Sequence, residues 1–86
     1  MNSSVSASFR KAFAELPSEI QDWAIKDFSI WQRNPRHPSL QFKKVGRYWS
    51  VRVGEHYRAL GVLRGDTLRW FWIGAHDEYQ RLIDTQ

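Results

Sequence analysis

The chain has 86 residues, of which 42% are hydrophobic and 15% aromatic, enough for one core and one domain spanning 1–86. Thirteen Lys and Arg against nine Asp and Glu leave a formal net charge of +4, a balance that favours a polyanionic partner. With no cysteine, a disulfide framework, a thiolate nucleophile and a cysteine-ligated metal are all excluded.

No apolar run reaches the length of a membrane span, and the N-terminal MNSSVSASFRK lacks the apolar centre of a signal peptide, so the expected location is the cytoplasm. Residues 2–8 are serine-rich, offer several N-caps and are expected to fray. Phe9, Ala12, Phe13 and Leu16 then follow helical spacing and predict a helix over 5–15. Pro17 closes it and opens a second helix over 17–33, where Ser18 and Gln21 have capping-box spacing. Ile20, Trp23, Ala24, Phe28 and Trp31 form its apolar stripe, a core face rather than a ligand site. So short a connection predicts an antiparallel helical hairpin. Asn34-Pro35-Arg36-His37-Pro38 stops the helix, because each proline disfavours helix in the residue before it.

Beyond Pro38 the period changes from helical to alternating, and strands are predicted at 40–45, 47–53, 57–63 and 67–73. In the first, Leu40 and Phe42 face the core while Gln41 and Lys43 face outward. Lys43 and Lys44 read either as a protective charged edge or as part of a positive face. Gly54-Glu55-His56 has the length and the glycine of a three-residue hairpin loop, a register that pairs Val53 with Tyr57 and sets Arg52 opposite Arg58 on the non-core face. Like charges directly opposite destabilise a sheet. Such a pair is either solvated on an open face or kept to hold an anion. The last strand, Leu68-Arg69-Trp70-Phe71-Trp72-Ile73, is apolar on both faces, and a short helix carrying Tyr79, Leu82 and Ile83 follows.

The chemical inventory is narrow. A glycine-rich phosphate loop, an HExxH motif, a carboxylate cluster and a serine-nucleophile motif are all missing from the sequence, and His37, His56 and His76 are far apart along it. Neither a metal nor another cofactor is expected. What remains is cationic and titratable: Lys43, Lys44, Arg52, Arg58, His76 and Tyr79. A lone histidine is commonly a structural hydrogen-bonder, yet His76 beside arginines would suit proton transfer during phosphodiester cleavage.

The order of elements, together with NPRHPSLQFKKV, YWSVRVGEHYRALGVL and WIGAHDEYQRLI, resembles the RelE/ParE superfamily of type II toxin–antitoxin toxins, from Leu16-Pro17 to Ile83. The resemblance implies an α+β fold with an N-terminal helical hairpin packed on a twisted, mainly antiparallel four-stranded sheet and a short C-terminal helix. Many members cleave mRNA at the ribosomal A site without a metal and are held by a cognate antitoxin, through which toxin copies also assemble. The family's motif arginine after the hairpin loop matches Arg58, its basic or histidine position near the chain end matches His76, and a nearby tyrosine matches Tyr79. Lys43, Lys44 and Arg52 match its RNA-contacting basic residues. A carboxylate or lysine that must act as general base is not identifiable. The ParE branch shares the fold but poisons DNA gyrase, so gyrase inhibition stays open beside ribonuclease action, as does a basic interaction module with no catalysis.

Overall fold

The change of period near Pro38 divides the backbone as well. The computed structural model of the protein describes residues 2–85. Strand β1 (Asn2–Val5) leads into helices α1 (Ala7–Ala14) and α2 (Ser18–Arg33), then a single 3-10 turn at Pro38–Leu40. Strands β2 (Lys43–Val45), β3 (Tyr48–Val53), β4 (Tyr57–Arg64) and β5 (Thr67–Ala75) follow, and helix α3 (His76–Asp84) ends the described chain. The sheet order is β1-β5-β4-β3-β2, antiparallel from β5 to β2 and parallel between β1 and β5.

Helices α1 and α2 cover one face, where alternate strand residues build the core. Trp31 is 1% exposed at its centre. Its ring meets Trp70 edge-to-face at 5.5 Å and Phe42 at 5.8 Å, and Phe42 stacks on Trp49 at 4.9 Å. Val51, Val53, Ala59 and Ile73 complete the layer beneath. Aromatic pairs in these geometries contribute about 0.5–1.5 kcal/mol each beyond the area they bury.

The sheet has five strands, not the expected four. Asn2–Val5 is short and polar and carries no alternating apolar signal. Its stability comes from backbone pairing with β5, from Asn2 to Asp66 at the far turn, and from Val5 against the core. Helix α1 begins after Ser6, whose Oγ accepts the Phe9 amide at 3.1 Å, so the serine-rich start supplies both a strand and a cap.

The expected helical hairpin is also corrected. Helix α1 rests on β5 and α2 on β3, so the two helices are spread over the sheet and leave an apolar cleft between them. The capping box does not form: Pro17 stands at the N-cap, and the Gln21 side chain donates back to the Phe13 carbonyl at 3.0 Å, tying the helices at their junction. The strand expected from Leu40 starts only at Lys43, because Pro38–Leu40 turns and Gln41 adopts a left-handed φ of 45°. Leu40 and Phe42 still enter the core.

A candidate phosphate site on the sheet face opposite the first two helices

The β3–β4 hairpin has the expected register: Val53 pairs with Tyr57 and Arg52 with Arg58. Gly54 opens the loop at φ +60°, and a Cβ there would fall 2.5 Å from the Trp23 ring, so both backbone and packing demand glycine. Asp27 of α2 accepts the Gly54 amide at 3.2 Å, and the His56 carbonyl accepts the His76 amide at 2.8 Å. The loop is thus pinned to α2 on one side and to the start of α3 on the other.

Arg52 and Arg58 avoid one another by turning apart. Arg52 Nε curls onto the Gly54 carbonyl at 2.7 Å. Arg58 turns inward, donating from Nη1 to Ser50 Oγ at 3.3 Å and from Nη2 to Gln41 Oε1 at 2.6 Å. Its guanidinium carbon stands 5.4 Å over the Tyr79 ring, a cation–π arrangement. Arg58 is only 8% exposed, so of the two readings the open, solvated one does not hold for it: Tyr79, itself buried, lies over this part of the sheet. Burial holds the Arg58 pKa below its ordinary value; Tyr79 offsets this and Arg52 adds to it. A guanidinium stays protonated regardless. With two of its five N–H donors fixed on neutral acceptors, it is an oriented cation with donors left for an anion.

The cluster continues through α3. The His76 ring lies 5.5 Å from the Tyr79 ring, tilted by 47°. His76 is the first residue of the helix, exposed, and it lines a polar cleft of about 510 Å³ with Glu55, His56 and Asp77. Arg58, Tyr79 and His76 therefore form a continuous line, with Arg52 beside Arg58.

The register separates the two lysines. Lys43 pairs with Ser50 and shares the face of Arg58, whereas Lys44 pairs with Trp49 and lies on the helix-covered side. Lys44 is thus not grouped with the arginines. Sequence reading missed Gln41, Ser50 and His56. Ser50 could have been found from alternation, since it shares the Arg52 face. Gln41 had no signal, because its position depends on the left-handed turn after Leu40. His56 is brought to His76 by the end of the hairpin. Among the described residues, no three His, Asp or Glu side chains converge as a metal site requires, and no helix is long and apolar enough to cross a membrane.

The fold is similar to a chain of the RelB–RelE antitoxin–toxin complex from Methanococcus jannaschii, with a TM-score of 0.71 and 20% identity over 91% of this chain and 95% of that one. YafQ from Escherichia coli gives a TM-score of 0.70 at 15% identity over 91% and 96%. The YoeB/ParE toxin from Agrobacterium tumefaciens gives 0.68 at 14% over 88% and 99%. No curated protein matches in sequence. A family model, described as the ParE-like toxin domain, matches residues 18–81, which take in the whole candidate site. The chain belongs to the ParE-like toxin domain family, and with it to the RelE/ParE superfamily of toxins of type II toxin–antitoxin systems.

Proposed function

We propose that this toxin is a ribosome-dependent mRNA endoribonuclease that needs no metal and acts by intramolecular phosphodiester cleavage. The observation that carries the reading is the contiguous Arg58–Tyr79–His76 line, with Arg58 held at both Nη atoms by Ser50 and Gln41. In such a reaction the 2′-oxygen bonds to the adjacent phosphorus as its proton passes to a base. The bond from phosphorus to the 5′-oxygen breaks, and that oxygen leaves with a proton from an acid. Negative charge grows on the non-bridging oxygens, and fixed cations in a partly dry site stabilise it well. Arg58 takes that role, with Arg52 holding phosphate beside it. His76 serves as general acid or base, and Tyr79 supports the Arg58 fork and packs beside His76. Lys43, on the same face, contacts the RNA backbone.

The partner that silences the toxin follows from the same family reading. Chains from antitoxin–toxin complexes of Methanococcus jannaschii, Pyrococcus horikoshii and Escherichia coli share this fold. We infer a cognate antitoxin here, whose acidic, apolar-studded segment orders on binding. The apolar cleft of about 320 Å³ between α1 and α2, lined by Phe9, Phe13, Ile25 and Phe28, suits such a segment, and Ile25 stands 61% exposed at its edge.

A second reading, inhibition of DNA gyrase, is favoured by the description of the matching family as ParE-like. The two separate in one comparison. The chain is induced alone in bacteria while translation is followed and mRNA ends are mapped, and the purified protein is added to gyrase supercoiling reactions. New mRNA ends that disappear in the Arg58→Ala variant support the ribonuclease. Intact mRNA with arrested supercoiling overturns it in favour of gyrase.

A further inference from the structure

The face that carries Arg58 extends beyond it along β3, through Ser50 to Tyr48, four residues and about 13 Å from Arg52. The Tyr48 ring meets Phe71 edge-to-face at 5.0 Å, and the Arg47 guanidinium stands 5.4 Å over the Tyr48 ring. A register shift puts Phe71 there. Leu60 pairs with Trp72 and Gly61 with Trp70, so Phe71 is an extra residue in β5. Trp70 then points into the core, while Phe71 reaches the opposite face. Both Tyr48 and Phe71 remain partly exposed. A bulge that moves a large apolar ring out of the core and against a second aromatic builds a platform.

The charge around this pair names what it faces. Strands β2, β3, β4 and β5 contain no Asp or Glu at any position; the carboxylates between Lys43 and Ala75 are Glu55 and Asp66, both in turns. Lys43 lies on the platform's face through its pairing with Ser50, and Arg69, which pairs with Val62, donates to Ser4 Oγ at its other edge. Partly exposed aromatic rings among cations are the arrangement that holds single-stranded nucleic acid, whose unstacked bases lie on the rings while the phosphates meet the basic groups. A duplex keeps its bases stacked and has no use for the rings.

We propose that Tyr48 and Phe71 form a base-stacking subsite for single-stranded RNA beside the phosphate site at Arg58. The choice of RNA rests on the ribonuclease reading; the stacking itself does not. The subsite fixes one base near the phosphate held at Arg58, and so contributes to which sequence is cut.

The test is binding of a single-stranded oligoribonucleotide to the full chain without ribosomes, where a ribosome-dependent activity leaves the probe intact. Tyr48→Ala should weaken binding about tenfold, and Tyr48→Phe should leave it within about twofold, because a phenyl ring still stacks. Lys43→Ala should weaken it less and lower the salt slope by about one. An abasic ribose chain of equal length controls for misfolding. It should bind the Tyr48 protein about tenfold more weakly than the base-bearing probe, and that difference should shrink to a few-fold at most in the Tyr48→Ala variant, where Phe71 alone remains. Equal affinity of Tyr48 and Tyr48→Ala proteins, or of base-bearing and abasic probes for the Tyr48 protein, overturns the subsite even where mRNA cleavage is found. So does loss of antitoxin binding with RNA binding unchanged. Base-dependent binding in a protein that cleaves no mRNA keeps the subsite and removes the ribonuclease reading.

Discussion

The two faces of one sheet are built from alternate residues of the same strands, yet they solve opposite problems. On the helix-covered face, Val51, Val53, Ala59, Trp70 and Ile73 meet Trp31 in a layer of hydrocarbon and aromatic rings. On the other face, Arg58 meets Ser50, Gln41 and Tyr79, and a charge is buried there on neutral acceptors. Apolar burial stabilises the first face without specifying any one contact. The second loses stability by desolvating a guanidinium, and what it obtains is a cation in a fixed orientation. Stability and chemistry are thus separated by a period of two residues, and substitutions on neighbouring positions should act on different observables.

Trp31→Ala should have the largest effect of any single change. Removing a core tryptophan costs about 3–5 kcal/mol, against a total of roughly 4–13 kcal/mol for a chain of this size. Urea unfolding followed by tryptophan fluorescence should show a midpoint lowered by about a quarter or more. An unchanged midpoint would mean that the helix-covered face is not where the stability lies.

Arg58→Ala should invert that pattern. Cleavage should fall on the order of a hundredfold or more, about 3 kcal/mol of transition-state stabilisation. Stability should fall by only about 1–2 kcal/mol, because the bonds to Ser50 and Gln41 are lost while a buried charge beside Arg52 is removed. The lowered pKa gives the sign of that second effect. A base whose folded pKa lies below its unfolded one destabilises the fold wherever it is charged, and the cost eases only as pH rises through the lowered value. Arg58 should therefore add no slope to stability between about pH 5 and 9, since a guanidinium stays charged there. A drop in stability as large as that of Trp31→Ala would make Arg58 a structural residue.

His76→Ala should slow cleavage by about a hundredfold if the imidazole moves a proton, and should leave the urea midpoint in place. The side chain is exposed, and the bond that pins the hairpin loop is donated by its backbone amide, which alanine keeps. Cleavage at the normal rate in His76→Ala would remove the imidazole from the reaction.

The contrast between faces also explains what could be read from the sequence. Alternation around Gly54 gave the β3–β4 register residue by residue, because that hairpin is local and its loop length sets the pairing. The same alternation put Arg58 on the correct face but could not show that the face is covered. Tyr79 lies over Arg58 through a contact between residues 21 apart, and nothing in the local pattern of either encodes it. Strand β1 was invisible for a related reason: Asn2 pairs with Thr67, and a parallel edge strand of four mostly polar residues carries no amphipathic period. The divergence of the two helices was missed because a short connection limits their distance apart at one end but leaves their spread over the sheet to packing.

Gln41 gives the smallest expected effect and the finest separation of the two roles. Its φ of 45° is a left-handed conformation that costs a residue with a side chain about 1 kcal/mol or somewhat more. Its Oε1 accepts from Arg58 Nη2 at 2.6 Å. In Gln41→Gly the backbone strain is relieved, while a hydrogen bond to a charged donor, worth about 1.5–3 kcal/mol, is lost. The two terms offset only in part, so the urea midpoint should fall by the equivalent of about 0.5–2 kcal/mol. Gln41→Ala loses the same bond without relieving the backbone, and should unfold at lower urea than Gln41→Gly by about 1 kcal/mol. Cleavage should fall to a similar extent in both, by roughly tenfold, because the Arg58 fork then keeps Ser50 as its one fixed acceptor. The loss should appear in kcat rather than KM, as expected for a residue that orients a transition-state donor. Cleavage that instead follows stability across the two variants, with Gln41→Gly as active as the unaltered protein, would show that the left-handed turn matters and the amide does not.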